Sequence, residues 1–101
     1  MTTWDETTTL FETYGGSGYD WATTQIISRP HGDTVQYAVY TDSGCSCSDA
    51  RMDNLDSYGL TWSFDFMDAR REAEDDIRDN TYDYNEAEKA EYLSELRTIT
   101  P

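Results

Sequence analysis

With 101 residues the chain has room for one domain with one core, and not for two. Its 21 Asp and Glu against 7 Lys and Arg give a formal charge of −14, which repels nucleic-acid phosphates and anionic lipids and argues against direct binding of either. No apolar run approaches the roughly 20 residues of a membrane span, and the start MTTWDETTT has neither the basic residues nor the apolar stretch of a signal peptide, so a cytoplasmic setting is expected.

Only 37% of the residues are hydrophobic, but 8 Tyr, 3 Trp and 3 Phe are among them. Each ring buries a large area, so an aromatic-rich core can fold a chain with few aliphatic residues. The polar stretches Met1 to Asp5 and Asp79 to Asp83 are expected to be mobile.

Leu10 to Tyr14 reads as a strand, closed by the flexible run Gly15-Gly16-Ser17-Gly18. Trp21 to Arg29 (WATTQIISR) and Thr34 to Thr41 (TVQYAVYT) are rich in β-branched residues, and Pro30-His31-Gly32-Asp33 lies between them as a turn. This predicts a β-hairpin. A pairing of Ser28 with Thr34 would place Ile27, Val35, Tyr37 and Val39 on one face and Ile26, Ala38 and Tyr40 on the other. Asp42-Ser43-Gly44 is expected to end the second strand, and Ser48 to Gly59 has no clear period and reads as a loop.

Leu60 to Trp62 is expected to be extended, followed by a helix from about Phe64 to Asp79 with Phe66, Ala69, Ala73 and Ile77 inward and Ser63 or Asp65 as its cap. A second helix starts at Asn85, whose spacing to Glu88 is that of a capping box, and carries the apolar stripe Tyr92, Leu93, Leu96 and Ile99. Strands followed by helices make an α+β fold, a small antiparallel sheet of an N-terminal strand and a hairpin packed by two amphipathic C-terminal helices. The expected organisation is a single acidic domain over 1–101, β-rich about 8–62 and helical about 64–99.

The run GYDW, a hairpin with a PHGD turn, and then YAVYTDSGCSC together resemble an uncharacterised group of small proteins from actinobacterial phages and their hosts. The likeness covers roughly Leu10 to Ala50, and its specific motif is Asp42 to Cys47; the group often has prolines after the second cysteine, where this chain has Ser48-Asp49-Ala50. No activity comes with the resemblance, which implies a phage or prophage setting and a host-directed role.

Cys45 and Cys47 are weak metal candidates, because structural zinc is usually held by four ligands and the one histidine, His31, is expected about 20 Å away at the hairpin tip. A disulfide across one residue is strained, and the cytoplasm is reducing. Two small thiols in a turn are the simpler reading, with a cysteine-based metal or redox module as the alternative. A Ser–His hydrolase would have only His31 as its base, and GGSG lacks the lysine of a phosphate loop, so neither an enzyme nor a cofactor is expected.

The acids of the helical half are more regular. Asp65, Asp68, Glu72, Asp75, Asp76 and Asp79 recur at intervals that place them in one row beside the apolar stripe, and Glu88, Glu91 and Glu95 make a shorter row on the second helix. Neighbours in such a row stand about 5 to 6 Å apart, of the order of the phosphate spacing along a nucleic-acid strand. One reading is simple solubility, with Arg70, Arg71, Arg78 and Lys89 neutralising part of the charge. The other is a docking edge for a basic host protein, in its finer form a nucleic-acid-binding protein toward which the row acts as a DNA mimic, with Trp62 as an apolar anchor. A structural or virion-associated role without mimicry is the third.

Overall fold

The computed structural model describes residues 4–16, 20–45, 58–80 and 84–101. After a 3-10 turn at Trp4–Glu6 come β1 (Thr8–Glu12), β2 (Asp20–His31), β3 (Thr34–Cys45), α1 (Phe66–Asp79) and α2 (Glu86–Thr98). The strands form one antiparallel sheet in the order β1-β2-β3, with both helices after it, which is the expected α+β arrangement. Of the segments expected to be mobile, 1–3 and 81–83 lie outside the described residues, whereas Trp4 and Asp5 belong to the 3-10 turn and Asp79 closes α1.

The hairpin is present, but its register differs from the expected one. His31 pairs with Thr34 and Ser28 with Tyr37, so the loop is the two residues Gly32-Asp33. Gly32 has φ 62° and Asp33 a negative φ, the pattern of a type II′ turn, whose twist suits a tight hairpin. A pairing of Ser28 with Thr34 makes a loop three residues longer, and an odd slip exchanges the faces of one strand relative to the other. Ile26 therefore lies opposite Val39 on the helix side, and Ile27 opposite Ala38 on the other.

Pro30 is tolerated inside β2 for a reason visible in the ladder. Tyr37 exchanges both backbone bonds with Ser63, so its polar groups point away from β2. Those of its partner Ser28, and of Pro30 two residues on, therefore point toward the β1 side, where β1 ends at Thr8 opposite Ser28. No rung is lost by the missing N–H. The strand assignments at Leu10 to Tyr14 and Asp42 to Gly44 also shift. β1 begins two residues earlier, and β3 runs on through Gly44 to Cys45 because β2 is long enough to pair with it back to Asp20.

A bulge between Thr9 and Phe11 in β1 sends Leu10 and Phe11 toward the same side. Both reach the helix-side cluster, where Phe11, Ile26, Val39, Ala69, Ala73, Ile77 and Leu96 are buried and Tyr37, Tyr92, Leu93 and Ile99 pack around them. Leu96 thus anchors the predicted stripe of α2. The opposite sheet face carries a second, smaller cluster of Ile27, Ala38 and Tyr40, covered by Trp4 from the 3-10 turn and by Tyr58, Leu60 and Trp62.

Both helix starts follow their sequence signals. Asp65 is the N-cap of α1 and accepts the Met67 N–H at 2.9 Å, so α1 begins two residues after the predicted Phe64. Asn85 and Glu88 form a reciprocal capping box on α2, with bonds of 2.8 and 3.1 Å.

Candidate interaction surface

The predicted acid row exists as a feature of the solvent side of α1: Asp65, Asp68, Glu72, Asp75 and Asp79 are all exposed. The individual carboxylates, however, are differently employed. Asp65 is spent on the N-cap. Asp68 accepts the Ser63 hydroxyl at 2.7 Å, and the same hydroxyl accepts the Asp65 N–H at 3.1 Å, so this cap is a small cluster of its own. Asp75 lies 3.5 Å from Arg78, whose stronger bond is to Glu74 at 2.6 Å.

Asp76 turns inward. Its carboxylate accepts the Thr24 hydroxyl from β2 at 2.5 Å and so joins α1 to the sheet, which removes it from the exposed row. Behind Thr24 lies a chain of hydroxyls. The Thr13 hydroxyl accepts the Thr24 N–H at 3.0 Å and sits 2.6 Å from the Tyr84 hydroxyl, while Thr23 donates to the Thr13 carbonyl at 2.6 Å. Thr13, Thr24 and Tyr84 are all essentially buried. Burial pushes the Tyr84 phenol above its ordinary range, against the opposing pull of its threonine hydrogen bonds.

Glu72 stands one turn before Asp76. Its carboxyl is raised above the ordinary carboxylate range, first by loss of hydration and then by the charge of Asp76. Asp76 thus acts on Glu72 as a like charge one helical turn away, second to the loss of hydration.

On α2 the row is split by function. Glu88 is held in the capping box, while Glu91 and Glu95 are exposed. Lys89, expected on the surface as a neutralising charge, is instead buried, 7% exposed. It occupies the helix-side stripe below Tyr92 and Leu93, and its ammonium donates to the Arg78 carbonyl in the last turn of α1 at 3.0 Å. Carbonyls there have no partner within the helix, so a lysine from α2 caps α1. Its ion pair with the exposed Glu86, at 3.9 Å, adds little.

Among the described residues, the side-chain carboxylates of Glu72, Asp79, Glu91 and Glu95 accept no hydrogen bond and form no ion pair, although the Glu95 carbonyl accepts the Thr98 hydroxyl at 2.8 Å. These acids, with the exposed Asp68 and Asp75, make up the candidate surface. Trp62 does not belong to it. Trp62 lies on the other side of the sheet, half-buried against the second cluster, with the Arg29 guanidinium 4.0 Å above its ring.

The remaining sequence candidates separate in space. His31 ends β2 beside the turn, while Cys45 pairs with Asp20 at the opposite end of the hairpin. The Cys45 side chain, Cys47 and most of the predicted 48–59 loop lie outside the described residues. Among the described residues no group of three or more His, Cys, Asp or Glu is arranged to hold a metal, and no helix is long and apolar enough to cross a membrane. What sequence reasoning missed is the hydroxyl chain and the buried lysine. Thr13, Thr24, Tyr84 and Lys89 have no local signature, because their partners lie on other elements.

Comparison with known proteins adds no family: no family model, no curated protein and no solved structure matches the chain.

Proposed function

We propose that the protein binds a basic protein through the carboxylates on the solvent side of α1, with Glu91 and Glu95 of α2 as further negative charge. It acts by binding and not by catalysis. Support comes from one observation above all, the exposed run Asp68, Glu72, Asp75 and Asp79 at helical spacing, largely without internal cations in a chain of charge −14. Like charges this close repel and lower stability, and an opposing cationic surface relieves that repulsion. Long-range attraction then raises the rate of encounter, within a screening length of about 8 Å at physiological salt.

In the finer reading, the partner is a nucleic-acid-binding protein of a host cytoplasm, the chain is phage-encoded, and the carboxylate row occupies the site of a phosphate strand. The test is affinity capture from an actinobacterial lysate at low and high salt, with wild type, Asp68→Asn/Glu72→Gln/Asp75→Asn/Asp79→Asn, and Cys45→Ser/Cys47→Ser. A basic partner released by salt, displaced by double-stranded DNA, lost with the fourfold variant and kept with the cysteine variant is the expected result. Retention by the fourfold variant refutes the surface. Loss with the cysteine variant, together with a stoichiometric metal ion, establishes the thiol module in its place.

A further inference from the structure

We draw no further inference here: the strongest candidate, the open cleft of about 530 Å³ at the hairpin end between Glu6, Arg29, Pro30 and His31, sets one carboxylate beside a guanidinium that Gln36 and Trp62 already hold, so its walls select no class of ligand and nothing in the structure shows what covers it.

Discussion

Replacing Thr13 by valine tests whether the buried hydroxyl chain holds the helices to the sheet. The substitution keeps shape and removes only the hydroxyl, so no large cavity contributes. That hydroxyl stands in for a rung of the ladder: it accepts the Thr24 N–H at 3.0 Å, while the Thr13 carbonyl takes the Thr23 hydroxyl. In Thr13→Val the Thr24 N–H becomes a buried donor without a partner, at about 1–3 kcal/mol, and the 2.6 Å bond to Tyr84 goes with it at about 1 kcal/mol. The expected loss is therefore about 2–4 kcal/mol, a large part of the roughly 5–15 kcal/mol of a small domain. Tyr84→Phe removes the second contact alone and leaves Thr13 bonded to Thr24, so it should cost only about 1 kcal/mol. Because the two share one bond, the double variant should cost less than the sum. Urea titration followed by far-UV circular dichroism, at unchanged m-value, measures all three. A loss for Thr13→Val within about 0.5 kcal/mol of wild type, the scatter of surface substitutions, or equal losses for the two single variants, would refute the assignment.

Lys89→Met should keep the packed stem but remove the donor to the Arg78 carbonyl, lowering stability by about 1–2 kcal/mol; a neutral or stabilising result in the same titration would mean that the lysine merely fills space. Glu72→Gln should raise the melting temperature at pH 7. The Glu72 carboxyl is raised in the folded state by desolvation first and Asp76 second, so its charged form costs stability above that range and the cost disappears once it is protonated. The gain from Glu72→Gln should therefore close as pH falls below the ordinary glutamate value of about 4.3, and a difference that stays constant from pH 7 to pH 3 would contradict this.

The local parts of this fold were legible in the sequence. Asp65 and the Asn85–Glu88 pair act within one helical turn, so spacing alone identifies them. The hairpin was legible as an object but not in its register, because Pro-His-Gly-Asp allows both a long loop and a two-residue turn. The choice falls to Pro30, which can enter β2 only because β1 stops before reaching it, a fact about a neighbouring strand. The acid row was legible as a period. The fate of each carboxylate was not, since Asp76 is decided by Thr24, 52 residues away. Thr13 and Tyr84 are 71 residues apart, a separation over which neither residue marks the other.

Those different fates make folding and binding separable in experiment. Asp65, Asp76 and Glu88 each accept a specific hydrogen bond that fixes a helix end or a helix on the sheet, so neutralising them perturbs structure first and charge second. Glu72 and Asp79 accept none, Asp75 has only a long contact to an exposed arginine, and Asp68 takes a hydroxyl that an asparagine carbonyl can still accept. Changing these last residues to their amides removes like charge from a crowded surface while leaving every cap in place, so the variant should be at least as stable as wild type. If such a variant, folded and more stable, no longer captures a basic partner, the loss belongs to the surface charge itself; had the caps been chosen instead, the same loss would carry no information about binding.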